Sequence, residues 1–137
     1  MSQPRIGQKV VVDVPATTAN LGPGFDCLGA ALDLNNRFAM RRIEGGGERF
    51  ELIIEGSEGS HLRGGPENLV YRAAQRVWKA AGLEPVALEA RVRLAVPPAR
   101  GLGSSATAIV AGLMGANALV GEPLSKEKLL ELAIDIE

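Results

Sequence analysis

The period of apolar positions changes several times along the chain, and each change predicts an element. Residues 9–14, KVVVDV, are rich in β-branched side chains and stop at Pro15, which predicts a strand. Residues 15–28, PATTANLGPGFDCL, break the pattern with polar and glycine positions. They predict a loop of the length that usually exists for function. Three segments of strand character follow, GAALDL at 29–34, RFAMRRIE at 37–44 and RFELIIEG at 49–56. The glycines of EGGGE at 44–48 predict an antiparallel hairpin between the last two. Residues 57–68 read as a further loop.

From Leu69 the period becomes helical, because Val70, Ala74, Val77, Trp78 and Ala81 fall on one face before Gly82 and Pro85 supply a stop. Residues 88–96, LEARVRLAV, alternate as a strand. Ser104 to Val120 is small and apolar nearly all round, which predicts a mostly buried helix of about 25 Å. Ser125 is placed to cap a last helix, KEKLLELAIDIE, with Glu127 in its first turn. That pattern is still running at Glu137, so the chain is expected to be cut from a longer one. With no internal repeat or low-complexity segment, residues 1–137 read as one unit. Strands interspersed with helices, and at least one hairpin, give α+β rather than a βαβ array.

Composition narrows the function more than the fold. Hydrophobic residues make up 46% of the 137 positions and charged residues 23%, ordinary for a globular domain with a real core. Lys and Arg number 15 against 16 Asp and Glu, so there is no basic footprint for nucleic acid. Apolar runs are broken well before the roughly 18 residues of a membrane span, and MSQPRIGQK has no signal-peptide core. Neither a nucleic acid nor a membrane is expected as partner. A single cysteine, Cys27, cannot form an internal disulfide, and the expected location is the cytoplasm.

The chemistry concentrates in PPARGLGSSATA at 97–108, between a predicted strand and a predicted helix. Unpaired N–H groups and the positive end of the helix dipole favour an anion there, and phosphate suits such a site. Gly101 and Gly103 let the backbone approach phosphate oxygens, while Ser104 and Ser105 add hydroxyls that donate to phosphate or ligate a cation. A plain turn with Ser104 as N-cap is the simpler alternative. The Walker A pattern is excluded because no lysine lies between Lys79 and Lys126. Gly101, Gly103 and Ala106 do satisfy the dinucleotide fingerprint G-x-G-x-x-G/A. Yet the acid at the required distance, Glu122, sits in VGEPLS, a helix-to-helix turn rather than a strand end.

The stretch P-P-A-R-G-L-G-S-S-A at 97–106 resembles the second motif of the GHMP small-molecule kinases, P-x-x-x-G-L-G-S-S-A, at every fixed position. VPATTANLGPGFDCLGAAL at 14–32 is similar to the opening motif of the homoserine kinases within that superfamily, and GPENLVYRAA to their next segment. The resemblance runs from Lys9 onward. It implies an N-terminal domain with the fold of ribosomal protein S5 domain 2, a mixed sheet packed with helices. It also implies transfer of the γ-phosphoryl of ATP to the side-chain hydroxyl of L-homoserine, a step of threonine biosynthesis.

Carried over residue by residue, the resemblance assigns ATP to Asn68, Pro97, Arg100, Gly101, Leu102, Gly103, Ser104, Ser105 and Ala106. Asn68 falls near the adenine position and is equally a helix N-cap, while Arg100 is otherwise a surface arginine. Mg²⁺ is assigned to Ser105 and Glu137, and homoserine to Asn20 and Asp26. Asp26 can pair with a substrate ammonium, with Asn20 hydrogen-bonding beside it. No general base is assigned, as homoserine kinases resemble one another in lacking the aspartate that many GHMP kinases use. Further substrate contacts, a histidine and arginines, and a ferredoxin-like second domain are expected beyond Glu137. A homodimer is left open. Outside this set, His61 reads as a loop histidine, Cys27 as a small hydrophobe and Trp78 as core. Competing readings are an ATP-binding module without turnover, a GHMP kinase for another alcohol such as mevalonate, an S5-like RNA binder and, last, a Rossmann oxidoreductase.

Overall fold

The computed structural model describes residues 4–18, 30–55, 61–62, 65, 67–93 and 104–136, with the backbone alone for 16–18, 30–34, 61–62 and 104–105. In chain order these residues form β1 (Lys9–Thr18), β2 (Ala30–Arg42), β3 (Phe50–Ile54), β4 (His61–Leu62), α1 (Leu69–Ala80), β5 (Leu88–Arg93), α2 (Ser104–Leu119) and α3 (Lys126–Ile136). The strands make one mixed sheet in the order β1-β2-β5-β3-β4. Every pairing is antiparallel except β3 with β5. This is the expected α+β architecture, and the single parallel pair among the described strands is incompatible with the doubly wound sheet of a Rossmann fold.

Strand alternation sorts the sheet into two faces. Phe38 and Met40 of β2, Leu88, Ala90 and Val92 of β5, and Phe50 of β3 belong to the core. The opposite face is charged. Arg37 pairs with Asp13 at 2.8 Å, Arg41 and Arg91 both reach Glu89 at 3.3 and 3.2 Å, and Arg93 faces Glu55 at 3.4 Å. The helices cover the apolar face. Trp78 is 1% exposed, as its place on the apolar stripe of α1 predicts, and it meets Tyr71 edge-on at 5.9 Å. Tyr71 in turn stacks on Phe50 at 5.2 Å. Its hydroxyl donates to the Val86 carbonyl at 2.7 Å.

Several strand expectations are corrected. Segments 29–34 and 37–44 are one strand, β2, because Asn35 and Asn36 stay in register opposite Pro15 and Val14. Pro15 does not end β1, which runs on to Thr18 through a shift between Pro15 and Thr17. The physical reason is that β1 is an edge strand, where the missing N–H of proline costs no ladder bond on the open side. The hairpin across EGGGE is absent. β5 lies between β2 and β3, so residues 43–49 span two strand spacings, roughly 9.5 Å, instead of one. Within the segment expected to be loop, His61 and Leu62 form β4 against Ile53 and Leu52.

The helices agree with their local signals. Asn68 caps α1 by accepting from the Val70 N–H at 2.9 Å, and Gly82 turns the chain out of α1 at φ +75°. Ser125 accepts from the Lys128 N–H at 3.2 Å and so caps α3. Glu122 lies in the turn between α2 and α3 at φ +59°, as expected for a connection rather than a strand end.

Candidate functional site

The site is organised by the first turn of α2. This helix begins at Ser104, has 16 residues and carries no acidic side chain in its first turn. Its first turn therefore brings no carboxylate of its own to the positive end of the helix dipole, where an anion is stabilised. Small residues allow α2 to sit unusually deep. At Gly112 a Cβ would fall 2.3 Å from the Val70 carbonyl oxygen, and at Gly115 one would fall 2.3 Å from Met40 Sδ. Thus α1 notches one side of α2 and the sheet the other.

Polar contacts hold both ends of the helix. Near the start, Asn36 Nδ2 of β2 donates to Thr107 Oγ1 at 3.2 Å, with Asn36 1% and Thr107 2% exposed. Near the end, Asn117 Nδ2 donates to the Leu124 carbonyl and its Oδ1 accepts from the Leu124 N–H, both at 3.0 Å. Gln8 Nε2 donates to the Leu119 carbonyl at 3.1 Å. The Asn117 clamp closes the turn from which α3 folds back. An apolar groove lined by Val110, Leu113 and Met114 of α2 and Leu129, Leu130 and Ala133 of α3 follows both helices. The end of α3 is tied to α1 by an ion pair between Arg76 and Asp135, and this guanidinium holds the Asp135 carboxyl below its ordinary range.

Asn68 is the N-cap of α1. Its neighbour Val70 packs on Gly112, eight positions beyond Ser104, or about 12 Å along the helix. Ala106 is half-buried in the first turn, and Ser104 and Ser105 open the helix. The remaining expected site residues, Asn20, Asp26, Pro97, Arg100, Gly101, Leu102, Gly103 and Glu137, lie outside the described residues, as does Cys27. No group of three or more His, Cys, Asp or Glu among the described residues is placed to hold a metal. A cavity of about 620 Å³ between α1 and the 82–85 turn, with Arg72, Arg76 and Lys79 on its wall, takes no residue from α2.

Asn36 and Thr107 were not singled out by motif. A signal for Asn36 does exist, since it falls in phase with the core positions Phe38 and Met40 of an alternating strand, where an apolar residue is the norm. Thr107 carries no comparable signal, because threonine is unremarkable in a helix of small residues.

Comparison with known proteins gives a consistent picture. Residues 68–137 match the family described as GHMP kinases N terminal domain. The chain is 99% identical over all 137 residues to a homoserine kinase of Synechococcus sp. (strain CC9605), and spans 44% of that protein's length. A crystal structure of homoserine kinase from Cytophaga hutchinsonii superposes with a TM-score of 0.81 at 32% identity, over the whole chain and 43% of the other. The mevalonate kinase of Methanococcus jannaschii superposes with a TM-score of 0.73 over 96% of this chain and 46% of its own. Its 15% identity speaks for the shared fold alone.

Proposed function

Because the chain belongs to the GHMP kinases, over their N-terminal domain, we propose that it is the nucleotide-binding part of a homoserine kinase that uses Mg²⁺ and ATP. The product is O-phospho-L-homoserine. The observation that carries the reading is the start of α2. The motif GLGSSA leads into a 16-residue helix whose first turn holds no acid, which suits an anion and not a cation.

In this reading the amides of Gly101, Leu102 and Gly103 and the hydroxyl of Ser104 surround the phosphates, with Pro97 and Arg100 at the entry and Ala106 beneath. Asn68 faces the adenine. The homoserine hydroxyl oxygen attacks the γ-phosphorus as the bond to the β-phosphate oxygen breaks. ADP leaves with that electron pair, and the hydroxyl proton is released without an assigned base. Such transfer relies on positioning and charge neutralisation more than on covalent chemistry. Asp26 pairs with the homoserine ammonium, and Asn20 binds beside it.

Ser105 and Glu137 would hold the metal, and as hard oxygen donors they suit Mg²⁺, which completes its shell with phosphate oxygens and water. When bound, the ion neutralises charge on the transferring phosphoryl group.

The test is a substrate panel of homoserine, mevalonate and galactose with Mg-ATP, on this chain and on a protein of the relatives' full length that carries it. Phosphorylation of homoserine by the longer protein, lost or strongly reduced in Ser105→Ala, is expected. A preference for mevalonate or galactose would overturn the substrate, and full activity in Ser105→Ala would overturn the metal assignment. ATP binding by this chain without turnover would mark it as a binding module.

A further inference from the structure

We propose that the apolar groove between α2 and α3 seats a further helix, formed in a protein of the relatives' full length by the residues that directly follow position 137. This packing rests on the family membership and holds whether or not the start of α2 binds phosphate. Apolar side chains exposed singly are ordinary on a protein surface, whereas a contiguous set marks a contact surface. Among the described residues five large apolar side chains are exposed, and three of them, Met114, Leu130 and Ile134, stand on α2 and α3.

Met114 and Leu130, 48% and 61% exposed, belong to a groove of about 360 Å³ whose other apolar walls are Val110, Leu113, Leu129 and Ala133. Lys126 is the one charged side chain on it. Elsewhere α2 is enclosed, with Gly112 against α1 and Gly115 against Met40 of the sheet. The groove is therefore where an otherwise buried apolar helix still meets water. Its walls recur at helical spacing, 110, 113 and 114 on one helix and 129, 130 and 133 on the other. Two such rows form the surface into which the apolar ridge of a third helix packs.

The relatives supply the occupant. This chain spans 44% of the Synechococcus protein and 43% of the Cytophaga one, and the matched family is an N terminal domain, so most of their remaining length follows the matched residues. Position 137 comes directly after α3, an 11-residue helix about 16 Å long that forms one wall of the groove. A segment that begins there is tethered beside the groove, at an effective concentration in the millimolar range for a short linker. A free second copy competes at a far lower concentration. A groove with a single lysine also offers little to a highly charged partner.

The test compares Leu130→Lys in this chain and in a protein of the relatives' full length, with Ile6→Lys, an exposed apolar position away from the groove, as control. In this chain Leu130→Lys changes an exposed side chain and is expected to leave Tm within about 1 °C. In the longer protein it places a charge under the covering helix and is expected to lower Tm by about 5 °C or more. Ile6→Lys is expected to change neither. Should Leu130→Lys keep the longer protein from folding, Leu130→Ala supplies the shift. A benzophenone side chain at position 130 of the longer protein then identifies the occupant, with crosslinks expected within about 30 residues after position 137, room for a turn and a helix of ordinary length. Equal Tm shifts in the two proteins, or none in the longer one, overturn the proposal. So does a crosslink to a more distant part of the chain, or a covalent dimer, which would give the groove to a second copy. No kinase activity is read, so failure of the nucleotide reading leaves the result unaffected.

Discussion

Gly112 of α2 lies so close to Val70 of α1 that a methyl group in its place would sit 2.3 Å from the Val70 carbonyl oxygen and 2.7 Å from the Ala73 Cβ. The obstacle is backbone in a packed helix, which has nowhere to move. Gly112→Ala is expected to destabilise the fold by about 3 kcal/mol, the upper part of the overpacking range. Gly115→Ala meets only the end of the flexible Met40 side chain and is expected to cost about 1 kcal/mol. Urea unfolding of the two variants checks the order. Equal costs would mean that α1 yields as readily as a methionine.

Tyr71 is the sole tyrosine, so its ionisation can be followed by tyrosinate absorbance without ambiguity. Desolvation, and less so the nearby charge of Glu48, pushes its pKa up to about 12. In the unfolded chain the phenol titrates near its ordinary value of about 10. Its contribution is complete below pH 10 and is lost as pH rises toward 12, because over that window the unfolded state releases a proton that the folded state keeps. The stability of Tyr71→Phe should fall less steeply across the same window. At neutral pH that variant should lose about 1 kcal/mol or more, since the buried Val86 carbonyl gives up its donor.

Asn117 makes two hydrogen bonds to the backbone of Leu124 and is 5% exposed. Asn117→Ala is expected to cost about 2 to 3 kcal/mol, through two backbone groups deprived of partners. Thermal unfolding measures it. Ser125→Ala, which removes only the cap of α3, should cost nearer 1 kcal/mol.

Asn68 can be resolved into its two roles. Asn68→Ala should lower stability by about 1 kcal/mol through loss of the α1 cap. Asn68→Ser keeps a capping oxygen, so its Tm should stay near that of the parent. Under the nucleotide reading, ATP binding measured by calorimetry should still weaken in Asn68→Ser. Unchanged affinity there would reduce Asn68 to a cap.

Local elements were legible because their causes are local. The apolar stripe of α1, the caps at Asn68 and Ser125, and the exit at Gly82 each act over four residues or fewer, and all stand as the sequence predicts. Strand partners were not legible in the same way. The glycines at 45–47 look like a tight hairpin, yet nothing near them reveals that Leu88–Arg93 will insert between the two strands they connect. Pro15 likewise reads as a stop until the strand holding it proves to be an edge.

The candidate site divides along the same line. By itself the sequence determined the helices, the α+β class and the motif residues from Pro97 to Ala106, because dihedral preference, amphipathic period and side-chain chemistry are written in neighbouring positions. Only the tertiary structure decided that β5 separates β2 from β3, that Val70 notches α2 at Gly112, and that Asn36 meets Thr107 beneath the first turn of α2. Those contacts form only when surfaces from distant parts of the chain are buried together. Their selection depends on which apolar faces and hydrogen-bonding groups can be satisfied at once, a property of the packed whole and of no single segment.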